Sequence, residues 1–395
     1  MLNSEQHRGF MAVISGQIIE QAKQWRRDFH RRPELGLNEH GTAKIISELL
    51  LSFGLEVYTG IAETGVIATL RNGEGPSIGL RADIDALPIQ ELNEFEHQSQ
   101  NPGLMHACGH DGHTSILLGA AKHLSENRHF RGTVHFIFQP AEENLGGGEM
   151  MVKEGLFDRF PMQAVYALHN WPGLPVGEVA VSEGPMMASQ DNFYITLTGK
   201  GCHAAMPERG ADPVVAGAQL ILSLQSLISR RLSPLEQTVI SLTQLHAGEA
   251  INVIPETLHM SGTLRCLSNK TRQTCWRLIE EYVHAVPLPY GVKGEVRWEL
   301  GYPVTQNHAA QAEIVRDAAK NTPGIQKVHF NNAPSMAAED FAYLLQACPG
   351  AYFWLGADGA TPSDSLHSPR YDFNDDIIPL GIGVLTTLVE RELKA

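Results

Sequence analysis

Nine consecutive residues, Met105-His106-Ala107-Cys108-Gly109-His110-Asp111-Gly112-His113, carry three histidines, one cysteine and one aspartate. Thiolate and imidazole are the soft and borderline ligands of first-row divalent metals. Cys108 and His110 alternate, so in extended backbone their side chains share one side and can reach one centre. Gly109 and Gly112 permit unusual dihedrals between them. From Thr114 onward, Ile116, Leu117, Ala120, Ala121 and Leu124 recur at helical spacing, which predicts a loop of ligands at the start of a helix. A redox or structural cysteine among solvated histidines would use the same residue types. Carboxylates and histidines elsewhere in the chain decide between the two.

Candidates of that kind recur at the ends of β-like runs. Residues 77–81 lead into Arg81-Ala82-Asp83-Ile84-Asp85, whose alternating aspartates suit either the support of a metal ligand or a plain strand-end turn. A β-branched and aromatic run, 133–138, leads into Gln139-Pro140-Ala141-Glu142-Glu143. Neighbouring carboxylates at a strand end are expected to diverge, one onto a metal and one into the space beside it; a solvated acidic turn is the alternative. The run 164–168 is expected to end on His169, at the rim where open α/β sheets build their sites. His367 arrives late, in the polar loop Ser365-Leu366-His367-Ser368-Pro369. The glycine-rich stretch 144–148 lacks the Lys-Ser/Thr ending of a phosphate loop, so no nucleotide site is read there.

Cys108, His110, Glu142, Glu143, His169 and His367 thus offer five ligands and one spare carboxylate. A catalytic zinc site needs three protein ligands and a water. Five ligands, one of them able to bridge, suit two metals about 3.5–4 Å apart. The count favours a di-metal hydrolase over a closed structural site.

The elements around these residues set the fold. A chain of 395 residues with 43% hydrophobic content can bury a large core in two domains, or in one with an insertion. The net charge of −14 argues against nucleic acid or an anionic membrane as partner. Residues 1–16 lack the basic start and apolar run of a signal peptide. No window reaches about 18 uninterrupted apolar residues, so no membrane-spanning helix is expected. Five scattered cysteines point to reduced thiols in the cytoplasm.

Helices are expected over 14–31 and 42–53, followed by strands over 55–58, 65–70 and 77–81. A linker is read over 183–189. After it come a strand (193–198), a helix (212–230), strands (238–245, 258–264), a helix (270–285) and a strand (294–300). That βαββαβ order is the ferredoxin-like pattern. The expected fold is therefore α/β, with a catalytic domain around a central mixed sheet (1–187 and 303–395) and an inserted α+β domain (188–302). The joining segments, 182–192 and 301–307, are read as hinges that let the insertion close over the metals as a lid, and the insertion as the dimer surface.

His-Ala-Cys-Gly-His-Asp-Gly-His, Gln-Pro-Ala-Glu-Glu, Ala-Leu-His-Asn, Gly-Cys-His-Ala-Ala-Met-Pro, Asn-Val-Ile-Pro and Leu-His-Ser occur here in that order. Together they resemble the hippurate hydrolase and auxin-conjugate hydrolase group, N-acyl-amino-acid amidohydrolases related to aminoacylases and di-zinc carboxypeptidases. The resemblance runs from about Arg27 to Asp375. It implies that Cys108, His110, Glu143, His169 and His367 bind two divalent ions, zinc or manganese, and that Glu142 is the general base. It also implies that His203 assists the developing oxyanion, from its own or a neighbouring subunit. Asn252 and Arg265 would bind the substrate carboxylate, and the protein would be a homodimer. Other branches of the superfamily use His-x-Asp where this chain has Arg81-Ala82-Asp83; His110 would replace the missing histidine, and Asp83 would orient a ligand. The implied reaction is hydrolysis of an N-acetyl or aromatic N-acyl amino acid to a carboxylic acid and a free amino acid. The alternatives are a dipeptidase or carboxypeptidase, or an N-acetyl-diaminopimelate or p-aminobenzoyl-glutamate hydrolase.

Overall fold

The computed structural model describes residues 14–360 and 363–394, so most of the N-terminal stretch read for a signal peptide lies outside the described residues. The chain forms two compact units. One holds the chain up to Met186, Gln306–Ala333 and everything from Asp340 onward; the other holds Met187–Thr305 and Pro334–Glu339.

The first unit opens with α1 (Gly16–His30) and α2 (His40–Ser52), then β1 (Glu56–Ile61), β2 (Gly65–Asn72) and β3 (Ser77–Asp83). Helix α3 (His110–Glu126), β4 (Gly132–Gln139), α4 (Gly147–Lys153) and α5 (Leu156–Arg159) follow, then β5 (Ala164–Pro175), β6 (Glu178–Val181) and β7 (Gly184–Met187). Ser15 caps α1 by accepting from the Ile18 amide, and Ile18, Ala22, Arg26 and Phe29 form its buried stripe. Strands β3 and β4 are buried along nearly their whole length, as expected where helices cover both faces of a parallel sheet. Helix α3 is buried on most of its surface and packs against α1 and against the C-terminal helix described below.

Within the second unit, β8 (Ser189–Thr198), β10 (Thr238–Ala247), β12 (Thr257–Cys266) and β13 (Lys293–Leu300) form an antiparallel sheet in the order β10-β12-β8-β13. Helices α6 (Pro213–Arg231) and α7 (Asn269–Ala285) supply the apolar side chains of its core, which joins Phe193, Ile195 and Leu197 to Leu220, Leu224 and Ile279. Burial alternates residue by residue along β8 and β12, the signature of a sheet covered on one face. A two-residue ribbon pairs β9 (Cys202–His203) with β11 (Val253–Ile254).

The chain then runs through β14 (Thr305–Asn307), α8 (Ala309–Lys320), β15 (Lys327–Phe330), α9 (Phe341–Ala347), β16 (Gly350–Asp358) and α10 (Ile378–Glu392). The main sheet is mixed and eight-stranded, in the order β1-β2-β4-β3-β5-β16-β6-β15. The stretch read as a linker, 183–189, is instead largely strand. Residues 184–187 form β7, which pairs with β14, and Met186 and Met187 are buried. An apolar pair with a backbone partner does not stay in solvent. Segment 334–339 belongs to the second unit, where the Ala188 amide donates to the carbonyls of Ser335 and Ala337.

Candidate metal centre

Strands β4, β3, β5 and β16 run parallel, so their carboxyl ends share one rim. Asp83 stands opposite Gln139, and His169 opposite Trp354. Contrary to expectation, β5 does not end before His169 but continues to Pro175, and the histidine projects from within the strand.

Two backbone features correct the expected geometry. Gly109 is left-handed at φ 92°, so Cys108 and His110 converge through a helix start and not through extended backbone. Ala141 is left-handed at φ 54°, a conformation that costs a non-glycine residue about 1 kcal/mol. Because the chain has left the strand there, Glu142 and Glu143 do not diverge. Each places a carboxylate oxygen within 4.8 Å of a His110 nitrogen and of the other's oxygen.

The five expected ligands meet at this rim. Cys108 Sγ lies 3.4 Å from His169 Nε2. His110 Nε2 is 3.7 Å from Glu143 Oε1, and His367 Nε2 is 3.5 Å from Glu143 Oε2. His367 adopts φ 65°, and its amide donates to the Ala107 carbonyl at 2.8 Å, tying the late loop to the cysteine's own segment. Donor atoms fall into two sets that share the thiol: Cys108, His110 and His169, and Cys108, Glu143 and His367.

These residues fit a cation by their hydrogen bonds as well as by type. His110 Nδ1 donates to the Asp85 carbonyl at 2.9 Å, and His169 Nδ1 donates to the Asn170 carbonyl at 2.6 Å. Carbonyls can only accept, so each ring in its neutral form carries its proton on Nδ1 and turns a lone pair on Nε2 toward the cluster; at His110 a cation would have to displace the second proton first. Among the described residues, buried His110 Nε2 and Glu143 Oε1 have no hydrogen-bond partner. Such orphaned buried atoms are rare without a ligand to satisfy them. Burial, then the Glu143, Glu142 and Asp83 carboxylates, pushes the Cys108 thiol well above its ordinary range. A thiolate here therefore needs a cation beside it. Burial, with His113 and His110 nearby, holds His169 well below the usual histidine range and so neutral. For His110 burial works downward, but Asp83, Asp85 and Glu143 outweigh it and raise the group to about 10.

Behind the cluster lies a buried polar layer. Asp85, more than Asp83, orients His110: its Oδ1 is 3.2 Å from Nδ1. Asp83 instead contacts His113 Nδ1 at 2.6 Å, and His113 Nε2 lies against Asn170. Arg81 spans Asp83, Gln139 and Asp340 at 2.8–3.1 Å, and the Asp340 amide donates to Glu142 Oε1 at 3.4 Å. Glu142 is itself only 6% exposed, an acid held inside the rim and not a solvated turn. Sequence reasoning missed Asn170, Gln139 and Glu39. Each sits within or just before a stretch already singled out, but a neutral amide or a lone acid gives no signal of its own.

The remaining candidates belong to the second unit. His203 is exposed on the β9–β11 ribbon, and its Nδ1 accepts from the Ala205 amide at 3.0 Å, which leaves the ring proton on Nε2. Asn252 is exposed beside it, its carbonyl accepting from the Ala204 amide at 2.9 Å. Arg265 lies on β12, opposite Val239 and Gln190. Burial lowers its guanidinium and Asp191 works the other way. The ribbon therefore brings His203 and Asn252 together, with Arg265 on a separate sheet.

Residues 79–391 match the family model of peptidase family M20/M25/M40. The chain belongs to this family. It is 36% identical to a hippurate hydrolase of Campylobacter jejuni over 93% of this chain and 96% of the relative. It is 38% identical to an N-acetyl-L-cysteine deacetylase of Bacillus subtilis over 89% of this chain and 83% of the relative. Among solved structures, a dinuclear metal-binding peptidase of family M20 from Bacillus subtilis superposes with a TM-score of 0.84 at 34% identity, covering 96% of this chain and 99% of that one. Among the described residues, no helix is long and apolar enough to cross a membrane.

Proposed function

We propose that this M20 protein is a metal-dependent amidohydrolase that cleaves N-acyl amino acids into a carboxylic acid and a free amino acid. The observation that carries the proposal is the Cys108 thiol shared by two donor sets, with buried Glu142 beside the same His110. Relatives named for hippurate and for N-acetyl-L-cysteine support the substrate class.

Cys108, His110, Glu143, His169 and His367 would hold two divalent ions, zinc or manganese. Such ions, when bound, polarise the scissile carbonyl and acidify a water. Glu142 takes the proton of the attacking water and returns it to the departing nitrogen. His203, with its proton on Nε2, is the donor assigned to the developing oxyanion. Arg265 and Asn252 are assigned to the substrate carboxylate, which a guanidinium can meet at two points.

Residues 188–302 are read as a lid and a homodimer surface. Exposed Val214, Val215 and Leu222 on α6 and Val239 and Leu245 on β10 support the second role. The cysteines are all unpaired thiols, in keeping with a cytoplasmic protein.

Glu142→Gln is the test. The variant is expected to keep its metal, measured by elemental analysis, while turnover of N-acetyl and N-benzoyl amino acids collapses. Dipeptides assayed in parallel should be poor substrates of the unmodified enzyme. Undiminished turnover in the variant would remove Glu142 from the chemistry.

A further inference from the structure

Glu39 ends the loop between α1 and α2 and is completely buried. It is far in sequence from every residue of the metal rim, yet its side chain reaches the turn that carries both catalytic-rim glutamates. Glu39 Oε1 accepts from the Ala141 amide at 2.9 Å, and Oε2 accepts from Thr64 Oγ1 at 2.7 Å. Gly36, three residues earlier, presses on the same place. A Cβ there would stand 2.9 Å from the Cα and Cβ of Ala141. On the opposite side, the Gly147 amide donates to the Ala141 carbonyl at 3.1 Å.

Ala141 is the left-handed residue that turns the chain out of β4. A non-glycine residue keeps that conformation only where its surroundings hold it. If Ala141 relaxed toward extended backbone, the two following carboxylates would project to opposite sides, since successive side chains alternate there. Glu142 would then leave His110.

We propose that Glu39, with Gly36 packed beside it, is a positioning residue that clamps Ala141 in its left-handed turn and thereby sets where Glu142 meets the substrate's water. The proposal rests on Glu142 acting as the base. Glu39 acts through the Ala141 amide and touches no reacting atom. Burial raises its carboxyl to about 7, Thr64 and the Ala141 amide pulling the other way. Both forms of the acid retain an oxygen that can accept from Ala141, so the clamp needs an acceptor there and not a charge.

Substitution with an amide is therefore expected to preserve the clamp, with the amide oxygen on Ala141 and the amide nitrogen on Thr64. Glu39→Ala should lower kcat by roughly 10- to 100-fold, the cost of a displacement on the ångström scale. KM and metal content per folded chain should stay within about twofold, because the substrate-binding residues are untouched and Glu143 has four co-ligands. Glu39→Gln should recover kcat to within a few-fold of the unmodified enzyme. Gly36→Ala, which pushes on Ala141 from the other contact, should reproduce the kcat loss and serves if Glu39→Ala does not fold.

Metal-loaded Glu39→Ala or Gly36→Ala with unmodified kcat would overturn the clamp, as would a Glu39→Gln enzyme as slow as Glu39→Ala. Glu142→Gln run alongside separates the two ideas. If that variant stays active, the base assignment is at fault; if it is dead while Glu39→Ala is unimpaired, only the clamp fails.

Discussion

The metal rim of the first unit and the β9–β11 ribbon of the second are built to opposite standards. At the rim the candidate ligands are buried or nearly so, exposed His367 being the exception. His110 has Asp85 behind it, His169 has the Asn170 carbonyl, His367 has the Ala107 carbonyl, and the Glu142–Glu143 turn has Glu39. On the ribbon His203 and Asn252 are exposed; the His203 ring accepts from the Ala205 amide two residues on, and Asn252 is bonded through its backbone carbonyl to the Ala204 amide. A preorganised site keeps little conformational freedom to lose when its ligand arrives, whereas exposed side chains are ordered only on binding. The rim is thus largely preorganised, whereas the ribbon's side chains keep conformational freedom.

The largest effect in the molecule should come from the residue shared by both donor sets. Cys108→Ala should reduce turnover by about a thousandfold or more, because on the proposed reading it would take a donor from both sets at once. Metal content measured after gel filtration should fall with it. A variant that kept two ions per chain and near-normal turnover would show that the thiol is incidental, and the rim would lose its claim to be the better-defined site.

The contrast also explains what could be read in the chain before its fold was known. Cys108, His110, Glu143, His169 and His367 are chemically conspicuous residues, and all but His367 lie in or beside stretches with strong alternation or helical spacing. Most strands of the main sheet and all four strands of the second unit's sheet followed from the same periodicities. What could not be read was how the backbone turns at Gly109 and Ala141. Both lie outside regular structure, and alanine gives no sign of a left-handed residue. For the same reason the two glutamates were expected to part, when they converge on His110. Asp83 is the last residue of β3 and Asp85 lies two residues beyond it, so which of the two meets His110 depends on how the chain leaves the strand. Strands β6 and β15 are only four residues each and were missed. The stretch 183–189 was read as linker because its glycine and proline outweighed a methionine pair that the fold buries.

The next largest effect belongs to the ribbon. His203→Ala is expected to lower kcat by about 10²–10³-fold, the usual cost of losing one oxyanion donor. Metal content and thermal stability should not change, since the imidazole is exposed and bonds only its own turn. Unchanged kcat with a raised KM would instead make His203 a ground-state binding residue, and the ribbon would then complete substrate capture and not the chemistry.

A smaller effect should follow from loosening the rim without touching a ligand. Asp85→Ala removes the carboxylate contact to His110 and the acceptor of the Glu143 amide, 3.0 Å away, while the Asp85 carbonyl stays. Partners behind a metal ligand typically contribute 10- to 100-fold in affinity, so a competing chelator should strip this variant at about 10- to 100-fold lower concentration. Equal resistance in variant and parent would mean that backbone contacts alone orient His110.

The smallest and most diagnostic effect is on stability. His30 on α1 lies between Asp111 and Glu91, at 2.8 and 3.2 Å, and Asp111 follows His110 directly at the start of α3. Burial works against the charged ring, but hydrogen bonds to Asp111 and Glu91 outweigh it and raise His30 to about 9. Its folded value is thus above the ordinary value of 6.5, so protonated His30 stabilises the fold. That contribution is fully present below pH 6.5, is lost as the pH climbs to about 9, and amounts to at most about 3 kcal/mol. Urea unfolding of the parent and of His30→Gln, compared at pH 6, 7.5 and 9.5, should show a stability difference that shrinks as pH rises. Comparing the two proteins at each pH cancels titrations that they share. A difference that stayed constant would mean that the ring is uncharged in the fold, and the rim's preorganisation would then rest on hydrogen bonds between neutral groups and not on a buried ion pair beneath the ligand loop.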